Sequence, residues 1–310
     1  MKTNINYQGV FPAIPTMFSK NGDLELDDLK RTVRFLVDKE VNGIFSLVIG
    51  GEFYKLSDKE RMTVAEQTVK YANGDLPVFV GVTHSGLLPS IYLAKHAESI
   101  GADGIVVSYP YFAPFIQEAR AGLMKYISDI CNAVDIDVIV QDYRSHKSIS
   151  FTAKQISQLV NRHRNISALK IEGTGHLEKI KKYLNSPGRK IPILGGMVGR
   201  YFLEELKSGV AGTVPGAAIP ETYLSIYDLF LLNRRDEAME KQSRLNPYLD
   251  YVISHFVSFV DIEKRILKRR GIINSIQMRE PRIAMQESDL SSLEAILKNI
   301  EQSFKLDLSR

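Results

Sequence analysis

A lysine stands inside an apolar segment of the sequence, where a charged side chain is costly to bury. The segment reads ISALKIEG over residues 166–173, and Lys170 lies between Leu169 and Ile171. An amine that is removed from water loses its proton more readily, and the neutral amine is a nucleophile that can form an imine with a ketone or an aldehyde. The alternative is a lysine that extends to the rim of the protein or pairs with a neighbour such as Glu172.

Short apolar strands alternate with helices along most of the chain. Continuous apolar strands separated by helices are typical of parallel strands covered on both faces. Eight such strands within about 220 residues predict an α/β protein with a (β/α)8 TIM barrel. No GxGxxG sequence follows the first strand, which disfavours a dinucleotide-binding fold. The strand-like segments are 9–18, 43–51, 77–82, 104–110, 136–141, 166–171, 191–196 and 209–216.

The last part of the chain has helical patterns only. We therefore predict a barrel over residues 1–225 and a C-terminal helical extension over 226–310, packed on the barrel or on a neighbouring subunit. The densest basic stretch, EKRILKRRG at 263–271, is predicted to be a helix with Ile266 and Leu267 facing inward and with Lys264, Arg265 and Lys268 to Arg270 in solvent.

Composition limits the classes of partner. The 310 residues are 44% hydrophobic and 25% charged, as in an ordinary soluble globular protein. The net charge is +4, and the basic residues are scattered among 36 acidic residues. Because the sequence also has no recognition motif, we expect no nucleic-acid binding. The one cysteine, Cys131, excludes an intrachain disulfide. No signal-peptide core and no apolar run of about 18 residues is present, so we expect no membrane span and a cytoplasmic location.

Reactive groups in a TIM barrel lie at the carboxyl ends of the strands. Among the residues at these strand ends, Lys170 is the one amine that lies within a strand. The other candidates at strand ends are polar residues, small residues and glycines, which we consider as substrate-binding groups. They include Gly50, Gly51 and Glu52 after the second strand and Gly196 and Val214 after the last two. Gln141 and Tyr143, at the end of the fifth strand, are candidates for the catalytic group together with Lys170.

Several segments agree in order and spacing with one known family. They read GVFPAIPTMF (9–18), GGE followed by KLSDKER (50–61), PVFVGV (77–82), HAESIGADGIVVSYPYF (96–112) and ISALKIEG. The chain thereby resembles the dihydrodipicolinate synthase / N-acetylneuraminate lyase family of class I aldolases. The resemblance implies that Lys170 forms an imine with pyruvate or a related 2-keto acid, without a metal or a cofactor. The imine stabilises a carbanion at C3, so that a carbon–carbon bond can be made or broken. The resemblance also implies a homo-oligomer, either a dimer or a tetramer.

The sequence departs from the family at its proton-relaying tyrosine. The family carries this tyrosine at the end of the fifth strand, and the aligned residue here is Gln141. An amide cannot act as a general acid at neutral pH. Tyr143 would face the same side if the strand continued, and it is the candidate substitute. A loop tyrosine packed on the rim is the alternative.

The turn after the second strand departs as well. The family's Gly-Thr-Thr-Gly-Glu is Val48-Ile49-Gly50-Gly51-Glu52 here. Both hydroxyl groups that would hold the keto acid's carboxylate are therefore missing. Backbone N–H groups at Gly50 and Gly51 could replace them, because glycine allows close approach to an anion. Glu52 matches the family, and its alternative role is to hold the turn together.

Two residues of the synthase branch are also replaced. The arginine that binds the second substrate aligns with His146, two residues after Arg144, and the tyrosine lent across a subunit interface aligns with Phe112, beside Tyr111. We take Arg144 and Tyr111 as substrate-binding candidates. A role in lysine biosynthesis is therefore poorly supported.

Three interpretations remain. The first is a Schiff-base lyase that performs aldol cleavage, condensation or dehydration of a 2-keto acid. The second is a catalytically silent relative that binds a small carboxylate as a sensor or partner protein. The third keeps the imine chemistry but takes a less polar substrate, matched to the apolar Ile49. Weaker candidates are His84 and the turn GGMVGR (195–200), which could bind an anion or could serve only as a tight turn.

Overall fold

The computed structural model of the protein describes residues 5–110, 120–144, 150–306 and 308, with only the backbone of Arg144. Within these ranges eight parallel strands form one sheet in the order β1-β8-β7-β6-β5-β4-β3-β2. The strands are β1 (Gly9–Val10), β2 (Ile44–Ser46), β3 (Val78–Gly81), β4 (Gly104–Val107), β5 (Asp137–Arg144), β6 (Ile166–Gly173), β7 (Ile193–Gly195) and β8 (Gly212–Thr213).

The segment after β1 closes the sheet into a barrel. Ala13 forms parallel bridges to Phe45 of β2 on one side and to Gly216 on the other. The Phe45 N–H donates to the Pro12 carbonyl, and the Ile14 N–H donates to the Phe45 carbonyl, each over 2.9 Å. The predicted TIM barrel is confirmed.

Helices cover the outside of the barrel and continue beyond it. The eight that follow the strands are α1 (Leu26–Asp38), α2 (Asp58–Ala72), α3 (Leu87–Ser99), α4 (Arg120–Cys131), α5 (Ala153–Arg162), α6 (His176–Leu184), α7 (Phe202–Lys207) and α8 (Pro220–Leu231). Ser57 begins α2 with a capping box to Glu60, which satisfies N–H groups that the first turn leaves unpaired. The further helices are α9 (Arg235–Ser254), α10 (Phe259–Arg269) and α11 (Glu287–Phe304). No described helix is long and apolar enough to cross a membrane.

The lower part of the barrel interior is filled by apolar side chains. Phe45 and Phe79 pack with their ring centroids 5.4 Å apart, and neighbouring strands add Ile139, Ala168 and Leu194. Burying such a side chain is worth about 1.5–3 kcal/mol, which makes this layer a firm floor. Because strand side chains alternate, the next inward residue on each strand stands two positions further on, at the barrel mouth.

The C-terminal helices reach the barrel mouth. Residues of the 256–283 segment line a cavity there together with strand-end residues. The division into 1–225 and 226–310 stays a prediction about domains, but the extension supplies part of the mouth. The prediction that Lys264 is in solvent is wrong, because this side chain is fully buried. The sequence pattern of α10 correctly predicts that Ile266 and Leu267 are buried. It does not show that the segment around Gln277 covers Lys264 on the polar side of the helix.

Candidate active site

Lys170 lies inside the barrel mouth, on the inward side of β6. Its residue is 7% exposed, and its Nζ lies 2.7 Å from the Oε1 atom of Glu172. The amine lines a chamber of about 60 Å³ with Ala13, Val48 and Val214 among the other walls. The structure therefore joins the two sequence interpretations of Lys170, since the amine is ion-paired and also faces a cavity.

Glu172 is the centre of the polar contacts around this amine. Its Oε1 atom also accepts from the Gln141 side-chain amide, and its Oε2 atom accepts from the Met197 N–H over 2.9 Å. Burial raises the pKa of Glu172, but Lys170, Met197 and Gln141 together outweigh burial and lower the pKa below its usual value. Glu172 is therefore a carboxylate. From the sequence, Glu172 is a candidate only as an ion-pair partner of Lys170. The spacing of two residues puts both side chains on one face of the strand, and this signal could have marked Glu172 as a site residue.

Gly196 leaves the space that Glu172 fills. A Cβ atom on Gly196 would lie 1.9 Å from Oε2 of Glu172, and one on Gly195 would lie 1.9 Å from Oε2 of Glu205. The glycines of the GGMVGR turn thus admit two buried carboxylates, one from each side of β7. The N–H of Met197 already binds a carboxylate of the protein itself, and Arg200 pairs with Asp250. The alternative of an anion site at this turn is therefore not supported. Gly196 was predicted to bind substrate, and in the structure its missing side chain leaves space for the Glu172 carboxylate.

The turn after β7 has a strained backbone. Met197 and Val198 have φ values of 49° and 50°, in the left-handed region that a β-branched residue rarely adopts. The Tyr223 hydroxyl donates to the Val198 carbonyl over 2.9 Å and helps to hold this conformation. Strain of this kind is often kept at functional sites, and here it places Val198 in the chamber wall.

Strand β5 extends further than the sequence pattern indicated. It continues to Arg144, and Gln141 and Tyr143 stand beside Lys170 and Glu172 across the sheet. The prediction that Tyr143 faces the same side as Gln141 is confirmed, since both line the chamber. Burial, and then the charge of Glu172, raise the pKa of Tyr143, so its phenol keeps its proton.

The turn after β2 offers less backbone to a ligand than we expected. Residues Ile49–Gly51 form one turn of 3-10 helix, and the Gly51 N–H donates to the Val48 carbonyl over 2.7 Å. That bond takes this N–H away from a substrate carboxylate, which corrects the role expected for Gly51. Gly50 lines the chamber, and a Cβ atom there would lie 3.2 Å from Cε1 of Phe259. The C-terminal helix α10 therefore occupies the space above Gly50 where a larger side chain would project.

Glu52 belongs to a buried group of charges beside the chamber. Its φ of 51° and its 1% exposure place the carboxylate 2.6 Å from Nζ of Lys55 and 3.7 Å from Nζ of Lys264. Lys264 also donates to the Gln277 carbonyl over 2.9 Å, and burial lowers the pKa of Lys264 to about 8 against the opposing charge of Glu52. These contacts favour the structural role for Glu52.

A larger cavity of about 920 Å³ adjoins the chamber. The chamber is the inner end of this cavity, since the two share six wall residues: Val48, Ile49, Gln141, Tyr143, Phe256 and Phe259. Charged and polar groups in the lining include Glu52, Lys55, Thr83, Ser108, Asp261, Glu280 and Arg282. The larger part of the lining surface is apolar. The barrel contributes Ile49, Phe53, Tyr54 and Val106, and the C-terminal segment contributes Phe256, Val257, Phe259, Met278, Pro281 and Ile283. We refer to this larger cavity as the vestibule.

The remaining candidates are placed as follows. Tyr111, Phe112 and His146 lie outside the described residues, as does the side chain of Arg144. His84 lies outside the lining of both cavities, with its Nε2 atom 3.5 Å from Asp58. Among the described residues no three His, Cys, Asp or Glu side chains come together as metal ligands would.

Comparisons with known proteins agree with the barrel fold. The dihydrodipicolinate synthetase family model matches residues 6–300. The chain is 28% identical over 225 residues to the probable 2-dehydro-3-deoxy-D-pentonate aldolase YjhH of Escherichia coli (strain K12), covering 71% of this chain and 73% of that protein. It is 28% identical to the 4-hydroxy-tetrahydrodipicolinate synthase of Methanococcus aeolicus over 94% of this chain and 98% of the relative. The crystal structure of dihydrodipicolinate synthase from Rhodopseudomonas palustris superposes with a TM-score of 0.88 at 25% identity, over 96% of this chain and 99% of that one. The chain therefore belongs to the dihydrodipicolinate synthetase family, and it is a lyase.

Proposed function

We propose that the protein is a Schiff-base-forming lyase in which Lys170 is the nucleophile and pyruvate or a related 2-keto acid is the substrate. The observation that carries this proposal is the position of Nζ, which is buried at the inner end of an open cavity and contacts one carboxylate. A lysine used only for packing or solubility would extend its amine towards water.

The reaction follows from the electron demand of the imine. Lys170 attacks the C2 carbonyl, and water leaves as the protonated imine forms. The cationic nitrogen then accepts electron density from C3, so a bond from C3 to carbon can break or form. Gly50 and Val214 are the chamber residues that we assign to the substrate's keto-acid end.

The vestibule holds the part of the substrate beyond C3. One relative is named as a probable aldolase of 2-dehydro-3-deoxy-D-pentonate, a compound with two hydroxyl groups beyond C3. The apolar walls at Ile49, Phe256 and Ile283 suit a substrate with fewer hydroxyl groups in this part, because burying an unpaired hydroxyl is unfavourable. This supports the interpretation in which imine chemistry serves a less polar substrate.

The rival function is carboxylate binding without catalysis. The absence of the threonine hydroxyls and of a tyrosine at Gln141 favours it. The two functions predict different behaviour of Lys170→Ala, because covalent capture requires the amine whereas reversible binding of an anion in a cavity does not.

Borohydride reduction in the presence of pyruvate tests the proposal. We expect a stable mass gain on the peptide that contains Lys170, and none in Lys170→Ala. The matched control is Lys179→Ala, which removes a partly buried amine paired with Asp142 at 2.6 Å and outside both cavities. It should keep the adduct. If neither pyruvate nor a series of longer 2-keto acids with aliphatic or aromatic tails gives an adduct, the catalytic proposal is wrong.

We also propose that the protein acts in the cytoplasm as a homo-oligomer, a dimer or a tetramer. Exposed apolar residues on α8 and α9, Leu231, Leu232 and Met239, support the second part. Light scattering of the purified chain would measure its mass, and a monomer at all concentrations would contradict this.

A further inference from the structure

We propose that Glu172 is the acid–base catalyst of imine formation and thereby replaces the tyrosine missing at Gln141. This inference rests on the proposed function of Lys170. It assigns a catalytic role to a residue that the family resemblance does not mark.

Geometry carries the inference. Oε1 of Glu172 lies 2.7 Å from Nζ of Lys170, within the reach that direct proton transfer requires. The other oxygen is held by the Met197 N–H, and Gly196 leaves the space for it. The carboxylate is thus fixed at the chamber wall against the amine that must lose protons.

Gln141 acts through Glu172. It stands beside Lys170 across the sheet, where its amide donates to the same oxygen that contacts the amine. An amide cannot carry a proton at neutral pH, but it can orient the carboxylate that does. We therefore assign Gln141 as a positioning residue.

The proton balance of imine formation requires such a carrier. Lys170 begins as an ammonium group and passes one proton to Glu172, and the neutral amine forms the bond to C2 of the keto acid. The carbonyl oxygen takes that proton and becomes the carbinolamine hydroxyl. Glu172 then takes a second proton from nitrogen and delivers it to the hydroxyl, the C–O bond breaks, and water leaves. The nitrogen keeps its remaining proton as the cationic imine, and Glu172 ends as the carboxylate it was at the start.

Substrate binding makes the first transfer easier. Glu172 is held ionised by its three donors, Lys170, Met197 and Gln141. A 2-keto acid brings a second carboxylate into the chamber, and like charges at close range favour the protonated form of one of them. The arrival of substrate therefore promotes proton transfer from Lys170.

Other charged groups face Glu172 and enter any pH profile. Tyr143 lies beside it across the sheet. Beyond the effect of burial, the charge of Glu172 contributes to raising the pKa of Glu205 on α7 and of His176 on α6. Glu205 and His176 form their own pair at 3.0 Å on the other side of β7. Glu205→Gln therefore removes a buried carboxylate near the site without touching Lys170, and it is the matched control.

The test measures the rate of borohydride-trapped imine formation with pyruvate from pH 6 to 9. For Glu172→Gln we expect a fall of about 100-fold or more at pH 7, the range for a lost general acid–base catalyst. We also expect its rate to rise steeply with pH, because deprotonation of the amine then depends on solvent. Glu172→Asp, which keeps a carboxylate but retracts it, should lose less and should keep the wild-type shape of the profile. Glu205→Gln should stay within about threefold of wild type.

The outcomes separate the two proposals. If wild type forms an adduct at Lys170 and Glu172→Gln forms it at the wild-type rate with the wild-type pH profile, the role of Glu172 is refuted and the proposed function stands. Equal loss in Glu172→Gln and Glu172→Asp with unchanged profiles would also refute it, since a packing role predicts that result. If wild type forms no adduct, the proposed function itself fails.

Discussion

Substituting Gly196 by alanine tests whether the space beside Glu172 is needed. The added Cβ atom would lie 1.9 Å from Oε2, 2.6 Å from Cδ and 2.8 Å from Cβ of Glu172. Ordinary contact requires about 3.5 Å, so the carboxylate must move by about 1.5 Å. The substitution removes none of the side chains that we assign to the reaction, and it displaces only Glu172.

The expected magnitude follows from the contacts that this movement breaks. The bond from the Met197 N–H, now 2.9 Å, would lengthen beyond hydrogen-bonding range. Losing a buried hydrogen bond to a charged group costs about 1.5–3 kcal/mol of unfolding free energy. A displacement of this size at a reacting group can lower a rate by about 100-fold.

Gly195→Ala is the matched control for this experiment. Its Cβ atom would lie 1.9 Å from Oε2 of Glu205, on the outer side of β7. We expect Gly195→Ala and Gly196→Ala to lose similar unfolding free energy in urea titrations. Only Gly196→Ala should lose the rate of borohydride-trapped imine formation. A wild-type rate in Gly196→Ala, or an equal rate loss in Gly195→Ala, would refute the reasoning.

Two adjacent buried charges on α10 predict opposite changes of stability with pH. Burial raises the pKa of Glu263 to about 7, so the folded state binds more protons than the unfolded state between about pH 4.5 and 7, and wild type should lose about 3 kcal/mol across that window. Glu263→Gln should remove this loss in urea titrations at pH 5 and 8, and a wild-type curve that is flat there would contradict the prediction. Burial lowers the pKa of Lys264 to about 8, so stability should rise by about 3 kcal/mol from about pH 8 to 10.5. Lys264→Met should abolish this rise, and an unchanged slope in the variant would show that Lys264 is not its source.

Local patterns predicted the barrel because the pattern of each βα unit can be recognised within a short segment of the sequence. Apolar strands, helix caps such as Ser57, and the alternation of side chains along β5 and β6 are short-range features. They were enough to place Lys170, Gln141 and Tyr143 at one end of the barrel and on its inner side. The family resemblance added the chemistry, since an amine at a strand end is by itself compatible with several roles.

The predictions from sequence were wrong for residues whose neighbours in the structure come from other parts of the chain or from the local turn. Lys264 belongs to an amphipathic helix and was expected in solvent, but Phe18, Glu52 and Gln277 enclose it. Gly51 was expected to offer its N–H, but the turn that it forms consumes that N–H. In both cases the residue type was compatible with either environment, and only the packed neighbours decide between them.

The amino-acid order by itself determined the barrel, the strand that carries Lys170 and the loss of the family's tyrosine and threonines. Only the tertiary structure decided what surrounds the amine: Glu172 fixed between Lys170 and Met197, the space at Gly196 that admits it, and the apolar wall from the C-terminal segment. The physical reason is range. Strand and helix formation depend on neighbours a few positions apart, whereas a site is made by side chains that are far apart in sequence and meet only when the barrel closes.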